Sequence, residues 1–418
     1  MAITNKEQGV WDLDQVYNKQ MEGGIWNYTA PEQFVTSGSS YEGILGMNNR
    51  GGPFDYSGWQ KPGATDPATG AFGLTTLNQN NYAASPSGTW QVKDNGTLWA
   101  WGKNDSGMAG QNTQSGPSGI RSYSSPCQIG TATNWSFACN GRQYACAVDN
   151  DGYHWTAGRN NLLGMGLGFP NTFERSSPVR FHAAIWAVDE PLKWSLSYGR
   201  GYAIDANGRL RGWGKGSGPL GNGPDYANNT DPTNIGEDTD WAQVTANASG
   251  QGGVFGAVKT DGTLWTWGWG SYGTLGLNNS SAPGGVSSPT QVGTDMTWKR
   301  VIIHSYTAMA VKTDGTRWTW GYNNWGSLGL NNTNGDDRSS PTQVGSGTDW
   351  DYTGMAGNVS WQAMLKTDGS LWFNGEAGGS EFTLGFAYKR SSPIQVPGTY
   401  SAIQGMYNAS FAIRTADN

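Results

Sequence analysis

The chain has 418 residues, of which 64 are glycine and 22 tryptophan, only 14% are charged, and the formal net charge is −6. Regularly recurring aromatic residues exclude a disordered polymer, and an acidic balance with no Lys/Arg run argues against a nucleic-acid-binding surface. No stretch approaches the ~20 apolar residues of a membrane-spanning helix, so membrane insertion is not expected.

The polar opening, Met1 to Gly9, lacks the apolar run of a signal peptide, which predicts synthesis and folding in a cytoplasm. Residues 1–38 read as an arm carrying a short helix. Asp12 and Gln15 form a capping-box pair, and Gly23-Gly24 stops the helix. Between them Leu13, Val16, Tyr17 and Met21 fall on one face, and Trp11 and Trp26 add aromatic surface. A helix of under ~12 residues is marginal in isolation, so this apolar face needs a partner. Two partners are open: the rest of this chain, or another protein.

From residue 39 to 418 one phrase recurs: an Asp-Gly or Asn-Gly pair followed by variations on Leu-Trp-x-Trp-Gly. The copies are 95–102, 151–158, 207–214, 261–268, 314–321 and 368–375, and their closing glycines lie 56, 56, 54, 53 and 54 residues apart. A degenerate seventh copy starts at Ile44-Leu45-Gly46, and Gly46 lies 56 residues before Gly102. A second phrase keeps step. Ser-Ser-Pro ends at Pro126, Pro178, Pro289, Pro341 and Pro393, with Asp-Pro instead at Pro67 and Pro232. Tryptophan follows nine residues later at Trp135, Trp241, Trp298 and Trp350, whereas Trp194 comes sixteen residues later and marks an insertion.

Each repeat predicts short strands joined by a tight Asp-Gly turn. Trp265 and Trp267 then share one face of a strand, and the prolines belong in an outer strand or loop. About four strands per repeat make one propeller blade, whose faces are covered only by stacking on neighbouring blades. The expected fold is therefore an all-β, seven-bladed propeller of roughly 54-residue repeats. The phrase Asp-Gly-x-Leu-Trp-x-Trp-Gly-x-Asn-x-x-Gly-x-Leu-Gly, matched best at 261–276 and 314–329, resembles the regulator-of-chromosome-condensation repeat. That resemblance implies the same seven-bladed fold and little about activity. The C-terminal Phe411 to Asn418 matches a strand and the start of a turn, but the following strand is missing there. Ring closure is accordingly expected from pairing of residues 41–47 with 410–415, leaving no free sheet edge.

Catalytic chemistry is not visible. His154, His182 and His304 lie in different repeats with no recurring nucleophile or acid beside them. His304 stands where the resembled repeat often carries a histidine, and is expected to be a hydrogen-bonded core residue. Cys127, Cys139 and Cys146 suggest neither a disulfide framework nor a zinc site, and read as small buried hydrophobes. The oxygen-rich 331–337 stretch lacks the spaced acids of a calcium loop and reads as a solvated turn. No phosphate-binding loop is present. The expectation is a non-enzyme without metal or cofactor.

What remains is surface. Trp269 and Tyr272 in one repeat, and Tyr322 and Trp325 in the next, depart from the repeat consensus in the loop after the Trp-Gly strand. Aromatic faces beside Asn and Ser suit sugar rings, with amides bonding hydroxyls; covering the blade rim is the bland alternative. Residues Gln8 to Tyr17, with Trp26, resemble a short motif of structural proteins of tailed bacteriophages, marine ones especially. That resemblance implies a virion component, tail-associated, attached to other virion proteins through the arm and displaying the propeller to a host-surface glycan. A purely architectural decoration or connector protein, a guanine-nucleotide exchange or chromatin-type propeller, and a glycan-degrading enzyme are the alternatives.

Overall fold

The structure, a computed structural model, describes residues 34–36, 82–85 and most of 88–414. The arm residues Trp11, Leu13, Val16, Tyr17, Met21 and Trp26 lie outside the described residues, as does the 41–47 stretch.

One repeat shows how the sequence folds. Trp241–Ala246, Val254–Lys259, Leu264–Ser271 and Ser281–Gln291 form a four-stranded antiparallel sheet in chain order, with Asp261-Gly262 turning the second strand into the third. Residues 82–128, 135–184, 194–234, 241–291, 298–343 and 350–399 make six such sheets, blades 1 to 6. Strand Lys389–Gly405 serves two blades. Its first part pairs with Ser370–Glu376 in blade 6, and from Tyr400 it pairs with Ser410–Arg414 in blade 7. The result is the expected seven-bladed ring.

Ring closure uses a different N-terminal segment from the one expected. Phe34, Val35 and Thr36 pair with Ile413, Ala412 and Phe411. Phe-Val-Thr is aromatic and β-branched and suits a strand, whereas 41–47 contains Gly43 and Gly46, which weaken one. Three residues of the segment read as arm therefore belong to the propeller.

The seams between blades explain why the two sequence phrases keep step. At the five seams between blades 1 and 6, the loop after the third strand ends on a residue at positive φ whose amide is donated to the next blade. The bonds are Asn112 to Ser176 O (2.6 Å), Gly168 to Thr230 O (3.0 Å), Gly223 to Ser287 O (3.1 Å), Asn278 to Ser339 O (2.8 Å) and Asn331 to Ser391 O (2.6 Å). Only Asn and Gly occupy the donor position, as the left-handed conformation favours. The acceptor is the first residue of Ser-Ser-Pro or its Thr-Asp-Pro equivalent. Its second serine returns a hydroxyl to the Asn side chain in Ser177–Asn112, Ser340–Asn278 and Ser392–Asn331.

A tryptophan closing the third strand makes a second staple at two of these seams. Buried Trp213 and Trp320 each donate Nε1 to a loop carbonyl of the preceding blade, Gly164 and Thr274, at 2.8 Å. Blade 2 has Ala157 there and makes no such bond; the equivalent carbonyl, Met108 O, accepts instead from Trp90 Nε1 within blade 1, at 2.8 Å. Blade 6 has Asn374, which keeps the bond by donating to Ser327 O at 2.7 Å. Nearer the axis, the Gln243 amide bonds both backbone groups of Val301 in the next blade, at 2.9 and 3.1 Å.

Gly273 shows how little room a seam leaves. Its φ is +75°, and a Cβ there would lie 2.5 Å from Ser339 Cα. Gly273→Ala should cost about 2–4 kcal/mol, from left-handed strain plus backbone displacement. Gly293, with φ +63° and nothing within 4 Å of a Cβ, should cost only about 1 kcal/mol as alanine. Urea denaturation of the two variants measures the difference, and equal costs would contradict tight packing at the seam.

Candidate functional site

Antiparallel blades place the Asp-Gly turns on one face of the ring and the loops after first and third strands on the other. On the turn face the conspicuous side chains serve the blades themselves. Lys259 lies 4.9 and 5.0 Å from the Trp241 and Trp265 rings, an arrangement repeated by Lys312 with Trp298 and Trp318 and by Lys366 with Trp350 and Trp372. Carboxylates complete it: Asp238 and Asp240 on Lys259, Asp295 on Lys312, Asp349 on Lys366. Trp265 Nε1 donates to Thr263 Oγ1, which donates to Asp261; these Thr263 bonds hold Asp261 below the usual carboxylate range. Blade 3 has Asp205 where the lysine stands and Arg211 in place of the tryptophan, and the two form an ion pair at 2.8 Å.

The loop face differs. Tyr272 packs edge-on to Tyr306 (centroids 5.2 Å apart) and tilted against Tyr322 (4.6 Å), which meets Trp325 at 5.1 Å. Three of the four residues singled out in the sequence thus join in one aromatic run across blades 4 and 5. Trp269 does not join: it is half-buried on strand Leu264–Ser271, and its amide donates to Gly253 O at 3.1 Å. Sequence reasoning missed Tyr306, in the turn between the first two strands of blade 5. That turn opens onto the same face as the third-strand loops, and this topology was the available signal.

One observation sets the run apart from rim packing. Tyr272 and Tyr306 are 43% and 42% exposed, so their rings are open to solvent. Tyr272 shares its positive φ of +56° with Ser106, at +64° in the same place in blade 1, so that conformation belongs to the loop. The loops are nevertheless fixed. Thr274 Oγ1 bridges Ser271 O and Tyr306 O, Tyr322 N donates to Tyr306 O, and Ser327 Oγ donates to Tyr322 O.

A polar rim borders Trp325 and Tyr322. Asn324 Nδ2 donates to the Tyr322 hydroxyl, and Asp336 takes a two-point ion pair from Arg338 at 2.5 and 2.6 Å. Asp337 accepts from Asn323 N at 2.8 Å, and burial raises its carboxyl pKa. Rigid aromatic faces beside amides and a charged pair can stack on sugar rings and bond their hydroxyls.

The histidines belong elsewhere. His154 is buried among Phe181, Trp186, Trp194 and Trp213, at centroid distances of 5.0–6.3 Å, and neither ring nitrogen has a partner. His304 is half-buried, and its Nε2 has no partner, so the expected hydrogen-bonded core histidine is not found at that atom. His182 lies on strand Arg175–Ala184, and its side chain is outside the described residues. Cys146 is buried, whereas Cys127 and Cys139 are only half-buried, and none of the three is in a disulfide. Among the described residues no group of three or more His, Cys, Asp or Glu could hold a metal ion.

Comparison with known proteins gives the fold its relatives. Residues 261–311 match the regulator of chromosome condensation (RCC1) repeat. Prp20p of Saccharomyces cerevisiae, solved in a study of its binding to Gsp1p and histones, is 14% identical with a TM-score of 0.67, over 93% of both chains. Human WBSCR16 is 16% identical at a TM-score of 0.66, over 82% of this chain and 88% of its own. The structure of Kap60 bound to yeast RCC1 (Prp20) contains a chain 17% identical at 0.64, over 80% of both. At these identities the likeness establishes an RCC1-like propeller and no activity.

His154 supplies a pH test of the core. Burial pushes its imidazole down to about 3, against ~6.5 in the unfolded chain. Below ~6.5 the unfolded state binds a proton that the folded state refuses, so folding stability falls as pH drops toward 3, by about 1.4 kcal/mol per pH unit. His154→Leu, the residue found at this place in blades 1, 3, 4 and 6, removes that dependence. Urea denaturation should show the variant's stability relative to wild type rising by about 2 kcal/mol between pH 7 and pH 5. An unchanged difference would mean that the imidazole takes up a proton in the folded state.

Proposed function

We propose that this protein is a non-enzymatic recognition module that binds a neutral or weakly charged glycan on the loop face of blades 4 and 5. The observation that carries the reading is the exposed run of Tyr306, Tyr272, Tyr322 and Trp325 on a fixed backbone. Among the described residues the opposite face shows no such exposed run, and in blades 4, 5 and 6 its tryptophans are engaged with lysines.

We place this activity on a bacteriophage particle, in the tail, with the arm before residue 34 as the attachment element to other virion proteins. The support is the resemblance of Gln8 to Tyr17, with Trp26, to the phage structural motif, together with an arm too apolar to remain free. Glycan recognition on a virion gains from copy number, since many weak sites act together.

The test is binding of the purified protein to a printed array of bacterial surface oligosaccharides, followed by titration of the hits. Tyr272→Ala and Trp325→Ala should each weaken binding about tenfold or more, equivalent to about 1.4 kcal/mol. Trp269→Ala should leave it unchanged. Hits that keep full affinity in both site variants would overturn this placement of the site, and a glycan cleaved during the incubation would overturn the non-enzymatic reading.

A further inference from the structure

We propose that the seam between blades 5 and 6 encloses a small inorganic anion, a halide ion, held by the guanidinium of Arg317. The position is a leucine in four of the six described repeats (Leu98, Leu210, Leu264 and Leu371), and in blade 5 it is an arginine with no exposed surface. Arg317 Nη2 donates to Gln362 Oε1 at 3.0 Å and to Asn374 Oδ1 at 2.6 Å. Nε and Nη1 are buried and have no partner among the described residues.

Everything these contacts supply is neutral. Gln362 and Asn374 are amides, Thr319 Oγ1 donates to Ala308 O, and the Trp350 ring lies 5.2 Å from the guanidinium carbon. Among the described residues no carboxylate pairs with Arg317. An isolated buried charge is too costly to leave uncompensated, and arginine does not ordinarily escape by losing its proton. Burial pushes this guanidinium down to about 9, which still leaves it charged at neutral pH. Water satisfies N–H groups but brings no opposite charge. An anion accepting from Nη1 or Nε supplies both.

The sequence also makes room. Asn374 stands where blades 3, 4 and 5 carry Trp213, Trp267 and Trp320, so a large ring is missing beside the guanidinium. Asn374 holds Ser327 O, and Ser327 Oγ holds Tyr322 O, so the polar seam supports the loop that carries Tyr322 and Trp325. Arg317 and Asn374 read as a linked exchange for the leucine and tryptophan of the other seams.

The experiment is thermal unfolding of the full chain in sodium bromide or chloride against sodium gluconate at matched ionic strength. The wild type should melt higher in halide, with a saturating dose response. The double variant Arg317→Leu/Asn374→Trp, which restores the leucine–tryptophan pair, should fold and lose the halide effect. Should that variant fail to fold, crystals of the wild type grown in bromide decide the question through anomalous scattering. A peak within hydrogen-bonding distance of Nη1 or Nε supports the site. Identical melting in halide and gluconate, an undiminished halide effect in the double variant, or bromide peaks only elsewhere would each overturn it.

Discussion

A backbone amide handed across the five seams between blades 1 and 6, from a residue in the left-handed conformation to the first residue of Ser-Ser-Pro or Thr-Asp-Pro, is the contact on which the rest of the molecule depends. A blade alone leaves both faces of its sheet apolar and uncovered, so the ring is stable only if neighbours meet in one fixed register. The amide from Asn112, Gly168, Gly223, Asn278 or Asn331 sets that register at the outer edge. Trp213 and Trp320 set it midway, and Gln243 near the axis. At the seam between blades 4 and 5 all three heights are fixed, so the large buried rings there pack in one register.

The same arrangement separates structure from display. A loop that must place a glycine against the next blade, and then an Asn or Gly two residues beyond Gly-x-Leu-Gly, has little freedom at those positions. The residues before the glycine are not so bound. There blade 4 carries Tyr272 and blade 5 Trp325, and the seam between them adds Tyr306 and Tyr322. Variation is concentrated where the seam does not read it, and it projects from one face because antiparallel blades send alternate loops to alternate faces.

The seven-fold repeat was legible in the sequence because a 54-residue spacing survives substitutions within single copies. Tyr272, Tyr322 and Trp325 stood out because they broke a consensus. Tyr306 did not, since its turn has no recurring phrase against which a tyrosine looks out of place. Ring closure was misplaced for a related reason: Ile44-Leu45-Gly46 kept the repeat spacing, whereas Phe34-Val35-Thr36 has the better strand chemistry. The Arg317–Asn374 exchange needed coordinates, because the two residues are 57 apart and each alone looks like a lapse in the pattern.

Native-state hydrogen exchange of the seam amides tests the central claim most directly. If the clamps hold the ring together, the amides of Asn112, Asn278 and Asn331 open only with the whole domain. They should then match the exchange free energy and denaturant dependence of second-strand amides such as Ala257 and Ala310. Seam amides that exchange through small local openings, while the second strands stay protected, would contradict it and leave apolar packing alone to hold the blades in register.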